Sequence, residues 1–140
     1  MAYTGRCACG AITLEINAEP IATRQCWCRQ CQQISSGGPS HNAIFPAGSV
    51  AVTGQLAQSS WRAASGNTLT HTHCPACGTQ IYAQSSARPQ LKTVRFGVID
   101  EPHGLRPEAA IWTEDAPDWA LIDPALEQFA QQPPPPPPTA

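Results

Sequence analysis

The stretch 26–31, which reads C-W-C-R-Q-C, constrains this chain more than any other, because it places three thiols within six positions. A C-x-C-x-x-C spacing brings three sulfur atoms to one point when the backbone makes a tight turn. Three thiolates bind zinc and leave one tetrahedral position free, and an open position distinguishes a catalytic zinc from a structural one. The alternative is a fourth ligand, a histidine or a distant cysteine, that closes the site. We favour the open site because the other cysteines can be assigned elsewhere.

The other four cysteines form two pairs, each followed by a glycine. Cys7 and Cys9 lie in the sequence G-R-C-A-C-G, and Cys74 and Cys77 lie in C-P-A-C-G. Glycine allows the tight turns that thiolates around a metal require. Together the two pairs make a four-thiolate set, the closed structural type of zinc site. Such a site would clip the first strand to a distant segment, much as a long-range cross-link does.

This assignment leaves Cys26, Cys28 and Cys31 as the second set. Other partitions remain open, because any two pairs can close a site, but each of them splits a compact local cluster. Iron–sulfur ligation is the chemical alternative, and the C-x-C spacings fit it less well. We therefore predict two zinc sites, one with four cysteines and one with three.

The seven cysteines of this 140-residue chain also bear on its compartment. The first residues show neither the charged nor the apolar region of a secretion signal, and no apolar run approaches the roughly 18 residues of a membrane span. In such a chain cysteines indicate metal binding or thiol chemistry rather than disulfides. We predict a cytoplasmic protein without a membrane partner. A net charge of −2 with eight Lys and Arg residues argues against a nucleic-acid partner.

Short strands separated by turn signals dominate the rest of the chain, and no internal repeat is present. Alternating apolar residues predict strands at 11–17, 21–25, 41–45, 50–53, 59–62, 69–73, 78–83, 91–99 and 109–113. A single helical turn is expected at 32–34. One helix is predicted at 124–130, with Asp123 as its N-cap and Pro124 at its first position. The expected fold is all-β with little helix.

The chain divides into one domain and a short tail. Residues 1–131 are predicted to form a zinc-binding domain, and residues 132–140 a disordered tail that contains the proline run 133–138. The tail could be a ligand for a proline-recognition domain, but a solvated end is the favoured interpretation.

These motifs, in this order, resemble the glutathione-dependent formaldehyde-activating (GFA) family, whose domain is shared with centromere protein V. The family pattern is G-x-C-x-C-G, then C-x-C-x-x-C with a following Ser-Gly, then C-x-x-C-G-T. It corresponds here to residues 5–10, 26–31 with 36–37, and 74–79, and stretches 97–100, 105–107 and 111–112 match as well. The resemblance covers roughly residues 3–130 and all seven cysteines at family spacing.

The resemblance implies an all-β, tent-like arrangement of small β-sheets around a four-cysteine structural zinc, with a second, three-cysteine zinc of catalytic type. Two positions depart from the family pattern. Trp27 stands where the family commonly has histidine between the first two cysteines of the central cluster, and His73 stands where the family usually has an apolar residue. The zinc ligands themselves are all retained.

The implied activity is that of a zinc-dependent carbon–sulfur lyase, similar to S-(hydroxymethyl)glutathione synthase, acting on a thiol such as glutathione and a small aldehyde. A thiol at the open position of the Cys26, Cys28 and Cys31 site would be held as its thiolate. It could then add to a carbonyl to give a hemithioacetal, so these cysteines are the predicted catalytic residues. Arg29 could pair with a glutathione carboxylate. Trp27 could wall the pocket or pack under the turn.

Two other functional classes fit the same residues: a zinc-stabilised binding module, and a thiol redox or metal sensor. An accessible pocket beside the three-cysteine site would favour the enzyme, a buried site the binding module, and a disulfide within it the sensor.

The four histidines are weaker candidates for function. His41 follows a Ser/Gly loop and could be a general base or a fourth ligand. His71 and His73 share a strand face, where ordinary polar positions are the favoured interpretation and a pair beside the Cys74 and Cys77 site is the alternative. His103 is expected in a turn.

Overall fold

The computed structural model describes residues 2–63 and 65–134, which fold into strands with a single short α-helix among them. The strands are β1 (Tyr3–Arg6), β2 (Thr13–Ile16), β3 (Ala22–Cys26), β4 (Ser40–Pro46), β5 (Val50–Thr53), β6 (Ala57–Arg62), β7 (Thr68–His73), β8 (Gln80–Ser85), β9 (Leu91–Arg95), β10 (Ala109–Ile111) and β11 (Glu127–Gln128). The helix α1 is Arg29–Ile34, and 3₁₀ turns are Ala47–Ser49, Phe96–Val98 and Thr113–Asp115. The predicted all-β class is confirmed. Within the described ranges no helix is long and apolar enough to cross a membrane.

The strands form two sheets. Strands β1, β2 and β5 make a three-stranded antiparallel sheet in the order β1-β2-β5. The other strands make an eight-stranded sheet in the order β11-β10-β3-β4-β9-β8-β7-β6. In this larger sheet β10 runs parallel to both β3 and β11, and the remaining pairs are antiparallel. Side-chain alternation places one face of strands such as β2 on the core.

The main hydrophobic core contains side chains from both sheets. In β2, Leu14 and Ile16 are buried while Thr13 and Glu15 are exposed, as the alternating pattern predicts. The largest fully buried side chains are Phe45, Ile12, Ile16, Ile81, Val94 and Val98. Cys7 and Cys74 belong to the same cluster, so the four-cysteine motif is part of this core.

Gly5 is required where β1 passes the chain after β9. A Cβ atom at this position would lie 2.1 Å from the carbonyl oxygen of Val98, and Gly5 forms a bridge with Ile99. Only a residue without a side chain allows this close approach. The first glycine of the G-x-C-x-C-G motif therefore holds β1 against the segment that follows β9.

The predicted helix at 124–130 is wrong. Asp123 Oδ1 accepts a hydrogen bond from the N–H of Ala125 at 2.9 Å, which makes a turn, and the chain then continues as β11. β11 pairs with β10, and the N–H of Phe129 donates to the carbonyl of Ala110 at 2.9 Å. Phe129 packs against a second apolar cluster around Ile111. Pairing with a distant strand therefore overrides the local helix signal.

Smaller differences concern strand ends. β1 was not among the predicted strands. The strand predicted at 91–99 ends at Arg95, where a 3₁₀ turn begins. The strand predicted at 109–113 ends at Ile111, because Trp112 adopts a left-handed conformation with φ of 55°. The helical turn expected at 32–34 is the end of α1.

The described part of the tail contacts the domain. The indole N–H of Trp112 donates to Gln132 Oε1 at 3.3 Å, and Pro133 is buried. The rest of the proline run, 135–138, and the last two residues lie outside the described residues. The predicted tail thus begins with residues that contact the domain, and its disorder stays a prediction.

Deleting residues 135–140 should leave the melting temperature within about 2 °C of wild type, because proline residues donate no backbone hydrogen bonds and four of these six residues are proline. Deleting residues 132–140 is the matched comparison. It removes the Trp112 hydrogen bond and buried Pro133, and should lower stability by about 1 kcal/mol. A thermal melt of both truncations measures this. A large drop with the shorter deletion would assign the tail a structural role.

Candidate metal centres

Cys7, Cys9, Cys74 and Cys77 converge on one point, with their sulfur atoms all within 4.8 Å of one another. The Sγ atoms of Cys7 and Cys9 are 3.6 Å apart, and those of Cys9 and Cys74 are 3.8 Å apart. A tetrahedral zinc with Zn–S bonds of about 2.3 Å separates its sulfurs by about 3.8 Å. A disulfide would bring two sulfurs to about 2.0 Å, and all these cysteines are free thiols. The spacing therefore fits a metal ion.

Two turns supply these thiols, one from each sheet. The turn after β1 carries Cys7 and Cys9, and the turn between β7 and β8 carries Cys74 and Cys77. Both turns end in a glycine with positive φ, 81° at Gly10 and 78° at position 78. A metal held here joins the small sheet to the large one, which is the structural role that the two glycine-flanked pairs predict.

Backbone and hydroxyl groups surround the sulfurs of this cluster. The N–H of Ile12 donates to Cys7 Sγ at 3.3 Å, and the Thr79 hydroxyl lies 3.1 Å from Cys77 Sγ. The same hydroxyl accepts from the N–H of Ala8 at 3.1 Å, so it bridges the two turns. Hydrogen bonds from the hydroxyl and then the amide of Thr79 lower the pKa of Cys77 to about 5. The turn is thus built to carry a thiolate, the form that binds metal.

Cys26, Cys28 and Cys31 form the second cluster, with their sulfur atoms also within 4.8 Å of one another. Cys26 ends β3, Cys28 is the N-cap of α1, and Cys31 lies in its first turn. The Sγ atom of Cys28 accepts the N–H of Cys31 at 3.2 Å, so this thiol also satisfies a free donor of the helix N-terminus. The strand-to-helix transition is what brings the three thiols together.

The thiols of this cluster cannot all ionise without a cation. Hydrogen bonds from the Cys26 and Cys28 thiols, together with Ser40 and the charge of Arg95, lower the pKa of Cys31 to about 3. Hydrogen bonding to the Cys28 and Cys31 thiols, together with burial, raises the pKa of Cys26. One thiolate is therefore shared among three thiols. A bound dication would allow all three to ionise, so the donor set fits a metal.

No fourth protein ligand joins this cluster among residues 2–63 and 65–134. His41 Nε2 lies 3.0 Å from Gln25 Nε2, outside the sulfur cluster. His71 and His73 join neither cluster, and His103 lies in a turn, where its Nδ1 accepts the N–H of Leu105 at 3.0 Å. The cluster therefore offers three protein ligands within the described ranges, and an open fourth position stays a prediction.

Trp27 and Arg29, the other predicted site residues, lie beside the cluster. Trp27 is 3% exposed, and its indole N–H donates to Gln25 Oε1 at 3.0 Å, which is the packed position under the turn. Arg29 is exposed, and its Nη1 donates to Gln32 Oε1 at 2.6 Å. Gln32 in turn donates to the carbonyl of Trp27 at 2.7 Å. Both side chains brace the turn that carries the thiols.

A row of buried polar residues next to the cluster was not predicted. Arg95 Nη1 donates to Asn42 Oδ1 at 2.6 Å, and Arg95 Nη2 lies 3.1 Å from His71 Nδ1. Asn42 also donates to the Ser40 hydroxyl at 2.9 Å, and the ring of Trp61 stacks on His71 at 4.0 Å. Burial, then the charge of Arg95, lowers the pKa of His71 to about 4, which keeps it neutral. Arg95 is thus held by neutral partners.

Two cavities lie near the metal clusters. The larger, of about 490 Å³, is bordered by Arg6, Cys9, Gly97 and Asp100. It lies against a cluster that already has four ligands, so we do not assign chemistry to it. The smaller, of about 210 Å³, is lined by Ser35, Ser40, His41, Arg95 and Phe96, among others. Ser40 is directly opposite Cys26 in the pairing of β4 with β3, so this cavity lies beside the three-cysteine cluster.

Comparison with known proteins finds a family and a similar fold. The sequence model of the family described as "Glutathione-dependent formaldehyde-activating enzyme" matches residues 2–115. A crystal structure of a Rhodobacter sphaeroides protein has a similar fold, with a TM-score of 0.55 and 22% identity over 74% of this chain and 91% of that chain. At this identity the likeness concerns the fold alone. No curated protein matches the chain.

Proposed function

The chain belongs to the glutathione-dependent formaldehyde-activating enzyme family, and on that premise we propose that it is a zinc-dependent carbon–sulfur lyase. Its substrates are a thiol, glutathione in the first instance, and a small aldehyde such as formaldehyde. The reaction is the reversible addition of the thiol to the carbonyl, as in S-(hydroxymethyl)glutathione synthase. The observation that carries the proposal is the cluster of Cys26, Cys28 and Cys31, in which three converging thiols have no fourth protein ligand among the described residues.

Each cysteine of this cluster has a role in the proposed site. Cys26, Cys28 and Cys31 hold zinc as thiolates, and they leave one tetrahedral position for a ligand from outside the protein. Zinc, when bound, supplies the positive charge that keeps an incoming thiol as its thiolate at neutral pH. Cys7, Cys9, Cys74 and Cys77 hold a second, structural zinc that takes no part in the reaction.

The cavity of about 210 Å³ beside the cluster is the place for the carbonyl substrate. This volume accommodates a small aldehyde and part of a thiol, but it is below the range of sites that enclose drug-sized ligands. The Ser40 hydroxyl and the Arg95 guanidinium line the cavity on the side of Cys31. Both can donate a hydrogen bond to an oxygen that gains negative charge. An accessible cavity next to the cluster favours the enzyme over a binding module.

The bond changes of the proposed reaction balance without a further reactant. The thiolate sulfur gives an electron pair to the carbonyl carbon, and a carbon–sulfur bond forms as the carbonyl π bond breaks. The carbonyl oxygen becomes a hydroxyl by taking up the proton that the thiol released. Cleavage of the carbon–sulfur bond reverses these steps. The protein contributes by holding the two reactants in contact and by orienting the donors of the cavity.

Glutathione and formaldehyde also combine without a catalyst, so the test measures exchange at equilibrium. Two-dimensional NMR exchange spectroscopy of a mixture of both reactants and their adduct reports the rate of interconversion. We expect wild-type protein to increase this rate at catalytic concentration, and the Cys28→Ser variant to leave it at the uncatalysed value. If no thiol and aldehyde in a panel exchange faster with the wild-type protein, the enzyme proposal fails and the binding module takes its place.

A further inference from the structure

Arg95 is a buried cation, and no carboxylate in the described part of the chain forms a salt bridge with it. The residue is 8% exposed, and its hydrogen-bond partners, Asn42 and His71, are neutral. The salt bridges of residues 2–63 and 65–134 join Arg6 to Asp100 and His103 to Glu101, so none involves Arg95. Its Nε atom has no hydrogen-bond partner. A buried charge without a partner is strongly destabilising, so an anionic group should be close by.

The groups near Arg95 that can become anionic are the three cysteines of the second cluster. Burial lowers the pKa of Arg95, and negative charge on Cys31, Cys26 and Cys28 opposes this shift. Strand pairing produces this placement, because β4 lies between β3 and β9. Asn42 is directly opposite Arg95, and Ser40, on the same face of β4, is directly opposite Cys26. Ser40 and Asn42 therefore lie between the cluster and the Arg95 side chain.

Charge counting gives Arg95 a specific role. Three thiolates and one divalent zinc sum to −1, and a fourth thiolate would bring the sum to −2. An anion approaching a buried centre that is already negative is repelled strongly, because the local dielectric constant is low. The permanent charge of Arg95 makes the three-thiolate centre neutral overall. A thiolate can then enter without meeting a net negative charge.

We propose that Arg95 is a positioning residue that balances the charge of the three-cysteine metal centre and so makes its open position selective for thiolate ligands. This inference rests on the proposed function, since it concerns how that site accepts its thiol. On this proposal Arg95 makes the site select ligands by their charge and not by their shape. A neutral ligand should therefore bind almost equally well with or without Arg95.

The experiment is a calorimetric titration of zinc-loaded protein with two small ligands. 2-Mercaptoethanol tests the thiolate without offering a carboxylate that Arg95 could bind directly, and imidazole serves as the neutral ligand. The charge-neutral variant is Arg95→Gln, which retains a hydrogen-bonding group for Asn42. Arg95→Lys retains the charge. Arg24→Met is the matched control, because Arg24 is also buried on the same sheet but acts only on Cys26 of the cluster.

For Arg95→Gln we expect a roughly 10- to 100-fold loss of 2-mercaptoethanol affinity, the range that supporting residues around a metal usually show, and little change for imidazole. Arg95→Lys should recover most of the loss, and Arg24→Met should lose much less. Equal losses for both ligands, or for both arginine positions, would overturn the proposal and leave Arg95 a structural residue. If Arg95→Gln does not fold, the affinities of Arg95→Met and Arg95→Lys for 2-mercaptoethanol and imidazole test the proposal in the same way. Failure of wild type to bind any thiol would instead contradict the proposed function.

Discussion

Replacing Cys77 with serine should leave the domain unfolded or insoluble, because it breaks the four-cysteine centre that joins the two sheets. The turns that carry Cys7 and Cys9 on one side and Cys74 and Cys77 on the other come from different sheets. Besides the proposed zinc, a hydrogen bond from the N–H of Ala8 to the Thr79 hydroxyl connects them. Cys7 and Cys74 are part of the main core, so separating the turns opens that core to water.

The expected loss in the free energy of unfolding is comparable to the whole stability of a domain of this size. Structural zinc contributes about 10–16 kcal/mol in zinc-finger peptides at neutral pH, and the net stability of a typical domain is about 5–15 kcal/mol. Loss of a zinc contribution of this size would therefore remove most or all of the net stability of the protein. Serine is close in size to cysteine but is a poor zinc ligand at neutral pH, since its hydroxyl does not ionise.

Circular dichroism and a chemical denaturation curve on the Cys77→Ser protein measure this effect. Thr79→Ser is a suitable control, because it retains the hydroxyl that contacts Cys77 and Ala8 and should fold as wild type does. A soluble Cys77→Ser protein with a cooperative unfolding transition close to that of wild type would contradict the structural role of this centre.

The same substitution in the other cluster should have the opposite consequence. Cys28→Ser should leave the fold intact, lower the zinc content from about two to about one per chain, and abolish thiol-dependent activity. The reason is the position of the cluster: Cys26 and Cys31 pack with Ile111 in a small group outside the main core. Metal loss there exposes little apolar surface. Metal analysis, a thermal melt and the exchange assay measure the three effects.

Serine at position 28 also separates the effect of losing the metal from the effect of losing the helix cap. Cys28 Sγ caps the N–H of Cys31 at the start of α1, and serine is among the preferred N-cap residues. Cys28→Ser therefore removes the zinc ligand but retains the cap, whereas Cys28→Ala removes both and should be less stable than Cys28→Ser by about 1 kcal/mol. If Cys28→Ser unfolds as severely as Cys77→Ser, both centres are structural and the enzyme proposal loses its main support.

The division of the cysteines could be predicted because it depends on local spacing. The tight motifs around Cys26, Cys28 and Cys31 leave few ways to place the sulfurs, and counting assigns the remaining four to one site. The structure confirms both groups. Most strands were predicted for a similar reason, since the alternation of buried and exposed residues along β2 is already visible in its sequence.

Features that depend on pairing between distant segments could not be predicted. Arg95 lies in a strand next to Val94, and the sequence does not show that its side chain meets Asn42 and His71 from other strands. The signal that was available is a charged residue between two apolar ones, Val94 and Phe96. The helix predicted at 124–130 failed likewise, because Asp-Pro at 123–124 begins a turn as readily as a helix, and the pairing of β11 with β10 decides between them.

The number of sulfur ligands per zinc, measured by X-ray absorption on wild-type protein, tests the open position most directly. The protein is purified with a phosphine reductant so that no added thiol occupies the site, and zinc content confirms that both centres are loaded. One centre with four thiolates and one with three should give an average of about 3.5 sulfurs per zinc, rising to about 4 when glutathione is added. An average of about 4 without thiol, or no increase on adding it, would contradict the account.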